Sequence, residues 1–265
     1  MLSALADAIT ARALELTEPG DAVPATGVVW VAVGGQARRE LTFTTARRGA
    51  LISDVELPGP WRQALERALA ACGCEGGVVS RDADGWWRAA DGDELALSVL
   101  ADRRVLWGTP SAPLPTADGP ARARLLSALA AQAFFHSPPT GFDDEGVLRQ
   151  DGKRTERLDI RLAAIAPITA LGRWASAVAG GEETATPERL RVAAQAGVLS
   201  EEQAVSLTEA FELALELQIV HQLGQLAAGE EPDDLLDPAS MSALTRHNLR
   251  GVFRAVSAVI RELRP

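Results

Sequence analysis

The chain has 265 residues, room for one large domain or two small ones, with 47% hydrophobic and 23% charged residues, an ordinary balance for a protein with a sizeable core. Its formal net charge of −10 gives a surface that repels phosphate backbones, which argues against general nucleic-acid binding but leaves room for a small nucleotide in a local basic pocket. No apolar run approaches the ~18 residues of a membrane span, and the opening MLSALADAITARALEL lacks the basic-then-apolar layout of a signal peptide, so no membrane and a cytoplasmic location are expected. Cys72 and Cys74 read as reduced thiols: so close a pair strains a disulfide, and no second pair completes a zinc site.

Residues 2–17 place Leu2, Leu5, Ile9, Leu14 and Leu16 in a helical pattern that Gly20 and Pro24 break. Val28 to Val33 is a short apolar, β-branched run ending at Gly34-Gly35, a buried strand running into a glycine turn. Thr42, Phe43, Thr44 and Thr45 favour strand within Leu41 to Ile52. Trp61 to Ala71 is helical with Pro60 before it; Val78-Val79 and Leu95 to Leu106 supply further strands. Pro110, Pro113 and Pro115 mark a boundary, beyond which the pattern is helical. Helices are expected over Ala121 to Phe135 and Ile160 to Ala179, then from Thr186-Pro187 with Thr186 as the N-cap. Ser200 with Gln203 forms a capping box that opens a long helix to about Ala228, and Asp237-Pro238 starts the last helix, to about Leu263. The expected fold class is α+β: an α/β domain over residues 1–115, then an all-α helical bundle over residues 116–265.

The stretch Val31 to Ile52, VAVGGQARRELTFTTARRGALI, resembles the opening of the DNA polymerase beta superfamily of nucleotidyltransferases. Within it, the resemblance is to the family often fused to CBS or cyclic-nucleotide-binding domains, relatives of the protein-PII uridylyltransferases. That family's signature has the form G-S-x-x-R-x-E-x-T-x-x-T-D-x-D-x-A-L-I. Gly34, Arg38, Glu40, Thr42, Thr45, Ala50, Leu51 and Ile52 match it. Ala46 and Arg48 stand where the family has two aspartates, and Gly35 where it has a serine that helps hold the triphosphate.

Those departures are chemically severe. The resemblance implies two-metal nucleotidyl transfer, and magnesium needs hard oxygen ligands in near-octahedral geometry. Alanine offers no ligand. Arginine puts a fixed cation where a dication belongs, at a cost of about 8 kcal/mol for a contact at about 4 Å and an effective dielectric near 20. Asp54 is no substitute, since it lies about 20 Å beyond Arg48 along an extended strand. VLADRRVLWG, Val99 to Gly108, resembles the family's apolar strand followed by D-x-R-x-V-x-G, matched at Asp102, Arg104 and Gly108. Asp102 is then the one surviving carboxylate of the metal triad, and with the metal gone it is expected to pair with Arg48. The segment between Trp86-Trp87 and Leu95 is shorter than the family's.

The second half resembles the substrate-binding domain that follows in the same family. Thr186, Glu188, Arg189 and Leu190 match T-x-E-R-L; His221, Gln222 and Leu223 match H-Q-L. Pro232, Asp233, Asp237 and Pro238 match a P-D-N-x-x-D-P turn with Asp234 at the usual asparagine, and Ser242 and Arg246 match L-S-x-x-x-R with Met241 at the usual leucine. The polar stripe Gln218, His221, Gln222 and Gln225 reads as a satisfied buried network rather than a metal site. Trp61, Trp86, Trp87 and Trp107 read as core or interface.

Three readings follow. The first is a nucleotidyltransferase-like pseudoenzyme that acts as a regulatory or binding module. Here Gly34, Gly35, Arg38, Thr45 and Arg48 hold a nucleotide without metal, Asp102 is vestigial, and no metal ligands remain. The second is an active, magnesium-dependent nucleotidyltransferase that moves a nucleoside monophosphate to a protein or small-molecule acceptor. The third is a structural interaction module with a stable partner protein or a homodimer.

Overall fold

The computed structural model describes residues 1–17, 27–90, 92–110, 119–135, 138–139, 141–142, 148–150, 153–155 and 157–264. Gly20, Pro24, Pro113, Pro115 and His136 lie outside these residues, as does the expected boundary after residue 115. The chain forms two compact units. One holds residues 1–41 and 45–128; the other holds residues 42–44 and 129–265.

The first unit is α/β. In order it runs α1 (Leu2–Leu16), β1 (Val28–Val33), α2 (Gly34–Arg38), β2 (Arg48–Ser53), α3 (Gly59–Ala71), β3 (Ser80–Arg81), α4 (Ala83–Arg88), α5 (Glu94–Asp102) and β4 (Arg104–Thr109), and it takes in the start of α6 (Gly119–Phe135). Its four-stranded sheet has the order β3-β2-β1-β4. β1 is antiparallel to both β2 and β4, and β3 joins β2 in parallel. All six residues of β1, VVWVAV, are buried, as expected for a central strand covered on both faces. The pairing of β1 with β4 slips between Trp30 and Val31. Gly108, which pairs with Val29, has φ +84, and a Cβ there would sit 2.1 Å from the Val28 carbonyl oxygen, so the two strands approach closely where this residue lacks a side chain.

Leu14 of α1, Trp30 and Leu51 of the sheet, and Trp61, Leu65 and Leu69 of α3 form one apolar cluster. Two buried tryptophans of this unit also satisfy their polar ends. Trp61 Nε1 donates to the Thr17 carbonyl at 2.6 Å, and the fully buried Trp86 donates to Leu51 at 3.2 Å. Three expectations change here, the first being that the strand expected at Val78-Val79 falls at Ser80–Arg81. Leu95 to Leu106 is not one strand: Asp93 caps a helix through the Ala96 N–H at 3.1 Å, and only Arg104 onward is extended. Ala96, Leu97, Val99 and Leu100 bury one helical face, a spacing that a short apolar run does not separate from a strand. In the third case, Leu41 to Ala46 is irregular with a turn at Phe43 and Thr44, and the strand begins at Arg48.

The second unit is mostly helical. The end of α6 leads to β5 (Gly141–Phe142), β6 (Leu148–Gln150) and β7 (Lys153–Thr155), a small antiparallel sheet, and to β8 (Leu158–Asp159). A π-helical turn over Arg161–Ile165 opens α7 (Ala166–Val178); α8 (Thr186–Gln195), α9 (Glu201–Ala228), β9 (Leu235–Leu236) and α10 (Ala243–Leu263) complete it. Leu171, Leu190, Leu207, Phe211, Leu249 and Phe253 centre its core. The capping box on α9 is present: Ser200 Oγ accepts from the Gln203 N–H at 3.1 Å, and Gln203 Oε1 accepts from the Ser200 N–H at 2.9 Å. Two helix starts shift. Thr186 is the first residue of α8, after Ala185 as N-cap. Ser242, not Asp237, caps α10, while Asp237 holds a turn through the Ala239 N–H at 2.8 Å.

Candidate functional site

In the first unit the motif residues converge on one end of the sheet. β1 ends at Val33, which pairs with Arg48 at the start of β2; Arg104 at the start of β4 pairs with Ala32. Gly34–Arg38 forms the short α2 directly after β1, and Asp102 ends α5 directly before β4. Topology therefore gathers Gly34 to Glu40, Ala46 to Arg48 and Asp102 to Arg104, segments far apart in sequence.

Arg38 is the centre of this arrangement. Its Nη1 donates to Asp102 Oδ2 at 2.9 Å, and its Nε donates to Glu40 Oε2 at 2.7 Å. The Asp102 side chain is 0% exposed and that of Arg38 13%. Burial works against the guanidinium charge, but Asp102 and Glu40 outweigh it and raise the Arg38 pKa above its ordinary value. The expected Asp102–Arg48 pair is replaced by Asp102–Arg38, and Arg48 is exposed. Arg38, expected from sequence to contact a nucleotide, holds two carboxylates.

Around this triad the turn is tightly built. Gly34 opens α2 at φ +59, and the Glu40 N–H donates to the Gly35 carbonyl at 2.9 Å. A Cβ on Gly35 would meet Thr45 Cγ2 at 2.8 Å, so a serine there displaces Thr45. Arg39 is exposed and left-handed at φ 63, a conformation costly for a residue with a Cβ. Ala46 is half-buried, and the Arg47 guanidinium donates to the Cys72 carbonyl. Arg104 Nη2 reaches both Asp7 carboxylate oxygens, at 2.9 and 2.8 Å, and the Gln36 carbonyl at 2.8 Å. Gln36, 1% exposed, donates to Thr10 and Asp7, each at 3.3 Å. The sequence reading missed this tie from α1 to the glycine turn. Its only sequence signals are a polar pair, Asp7 and Thr10, on a helix that otherwise buries small or apolar residues, and the polar Gln36 after a wholly apolar strand.

The residues present do not fit a two-metal centre. Ala46 donates nothing, Arg48 is cationic, and Asp102 and Glu40 are both already hydrogen-bonded to Arg38. Among the described residues no group of three or more His, Cys, Asp or Glu side chains is placed to hold a metal ion.

The second unit carries a polar network of its own, built on the expected stripe of α9. Asp234 Oδ1 accepts from Gln218 at 2.7 Å, from Gln222 at 2.8 Å and from Thr44 Oγ1 at 2.7 Å. Gln222 also donates to Thr44 Oγ1 at 2.9 Å and accepts from the Phe43 N–H at 3.1 Å. Arg161 Nε, at the π-helical turn, donates to Asp234 Oδ2 at 3.2 Å. Gln218 and Gln222 are buried at 2% and 0%, and both reach charge-assisted partners. His221 Nε2 lies 2.8 Å from Asp233 Oδ1, and Gln225 Oε1 accepts from the Asp233 N–H at 2.8 Å. Burial pushes the Asp233 carboxyl up, but the His221 contact and the N–H of Leu235 pull it further down, below the usual carboxylate range.

Among the described residues no helix is long and apolar enough to cross a membrane. Comparison with curated proteins gives no match. Family comparison gives two matches: "Putative nucleotidyltransferase DUF294" over residues 1–88 and "Putative nucleotidyltransferase substrate binding domain" over residues 123–264. Matched in both parts, the chain belongs to this nucleotidyltransferase family and carries the family's helical substrate-binding domain in its C-terminal part.

Proposed function

We propose that this chain is a nucleotidyltransferase-fold pseudoenzyme, resembling the protein-PII uridylyltransferases, that has kept a binding or regulatory role and lost metal-dependent transfer. The observation that carries the reading is the state of the carboxylates. The two positions that should present metal ligands are Ala46 and Arg48, and the two acids that remain, Glu40 and Asp102, are bound to Arg38. A site of this composition stabilises no dication, so the family's two-metal route to a nucleophile and a leaving pyrophosphate has nothing to stand on. What it offers instead is positive charge at the sheet end: Arg39 and Arg48 are both exposed there. Guanidinium forks grip phosphate oxygens without metal, so a nucleotide bound here would be held through its phosphates and left intact.

The test is calorimetric titration of each nucleoside triphosphate with and without magnesium, followed by transfer of a radiolabelled nucleoside monophosphate. The expected result is binding indifferent to magnesium, weakened by Arg48→Ala, with no transfer. Transfer that requires magnesium and disappears in Asp102→Ala overturns the proposal in favour of an active enzyme. Failure of every nucleotide to bind leaves the interaction-module reading in its place.

A further inference from the structure

Between α8 and α9 the second unit carries a groove of about 580 Å³, within the range of pockets that take a few side chains. Its apolar lining is Ala194, the buried Ala204 and the half-exposed Val205. Its rim carries Glu188, Glu201 and Glu209 against a single cation, Arg191. Arg191 is already engaged, its Nε donating to Glu188 at 2.8 Å. Glu201 and Glu209 make no ion pair or hydrogen bond through their side chains among the described residues.

Local helix physics explains part of this and leaves the rest over. Glu188 and Glu201 lie in the first turns of α8 and α9, where a carboxylate favours the helix dipole. Glu209 lies well inside α9, beyond the reach of that effect. Val205 is 50% exposed within a helix, where a β-branched residue gains nothing from packing and is a poorer helix former than alanine, glutamate or lysine. Val205 stands one turn from each of two unpaired carboxylates, Glu201 and Glu209, beside a concave lining. This arrangement matches the layout of a binding groove, with an apolar contact at the centre and charge at the rim.

We propose that this groove is a docking site for a basic–apolar protein segment. One or two apolar side chains would rest on Val205 and Ala204, and flanking lysines or arginines would reach Glu201 and Glu209. Charge complementarity selects this occupant: the unpaired rim is acidic, as is the chain as a whole at −10, so an acidic segment, or a second copy presenting an acidic face, is repelled. The proposal is independent of whether nucleotides bind the first unit.

The full chain is titrated by fluorescence anisotropy with three labelled peptides of about fifteen residues, long enough for marginal helix: a leucine/lysine amphipathic peptide, its leucine/glutamate counterpart, and a serine/lysine peptide without apolar residues. Only the leucine/lysine peptide is expected to bind, less tightly as salt is added, with NMR shifts at Ala194, Ala204 and Val205. The charge-reversed Glu201→Lys/Glu209→Lys pair and Val205→Asp should each weaken it by about tenfold or more. All three positions lie on an exposed helix surface or its rim, and an unchanged melting transition confirms that the variants fold. Val205→Ala serves as the milder companion. Binding unchanged in these variants, equal binding of the glutamate or serine peptide, no binding of any peptide, or a homodimer that Val205→Asp dissociates would each overturn the proposal.

Discussion

Asp102 shows how far one side chain's meaning depends on its neighbour. A fully buried carboxylate is tolerable only when paired, and Arg38 supplies the pair. Replacing one partner of a buried ion pair strands the other, so Arg38→Met is expected to cost about 3–5 kcal/mol in denaturant unfolding. Adding Asp102→Leu to that variant should recover part of the loss. Equal stability of Arg38→Met and the parent would show that the triad carries no weight. Gly35 makes a second case. Restoring the family's serine forces Thr45 aside, an overpacking expected to cost about 1–3 kcal/mol; Gly35→Ser with Thr45→Ser, which removes the Cγ2 methyl, should cost less. Cys74 is expected to alkylate more slowly at neutral pH than the same thiol in the urea-unfolded chain, because burial pushes its pKa up and leaves less thiolate. These properties were only partly legible in sequence. The motif letters located Arg38, Glu40 and Asp102, but the Asp102 partner depends on how α2 and the α5–β4 junction meet across the sheet end. The motif letters suggested Arg48 as that partner, and no spacing rule pointed to Arg38 in its place.

At the scale of elements, long periodic segments were readable and short ones were not. α1, α3, α6 and α9 appear close to their expected ranges because caps, prolines and repeated apolar spacing agree over several turns. The stretch from Leu95 to Leu106 failed as a single strand because a two-turn helix and a short strand share the same apolar letters. The irregular segment 41–46 failed as a strand because threonine-rich composition was outweighed by bonds to Gln222 and Asp234. Those bonds are a measurable part of α9. Gln222→Ala removes partners from the Phe43 N–H, Thr44 and Asp234, and is expected to cost about 1–3 kcal/mol. Faster hydrogen exchange at the Phe43 amide should accompany it. Asp234→Asn keeps an acceptor oxygen for Thr44, Gln218 and Gln222 and should cost less than Asp234→Ala. Matching losses in the two Asp234 variants would mean that the charge matters more than the hydrogen bonds.

For the whole molecule, two carboxylates with lowered pKa contribute to the dependence of stability on acid pH. Burial pushes Asp93 up, but Arg81 at 2.7 Å and the Ala96 N–H pull it below its ordinary value; Asp233 is lowered as well. A folded pKa below the unfolded value of about 3.9 contributes stability that is present above that pH and lost as pH falls through the folded value. Asp93→Asn should therefore flatten the dependence of stability on pH below about 4 and leave its shape near neutrality unchanged. The proposed loss of chemistry is tested at this scale too. Ala46→Asp with Arg48→Asp restores two carboxylates beside Glu40 and Asp102. Manganese binding gained by that variant and not by the parent would show that the scaffold still accepts a metal once its ligands return.

The assignment of residues 42–44 to the second unit, while residues 41 and 45 remain in the first, has a practical outcome. No single cut along the backbone yields both units whole. A fragment beginning after the proline-rich stretch would carry Gln222 and Asp234 without the Phe43 amide and Thr44 that they bind. Poor behaviour of such a fragment would reflect missing groups rather than an intrinsically weak bundle. Adding back a short synthetic peptide that spans residues 40–46 should restore part of its stability.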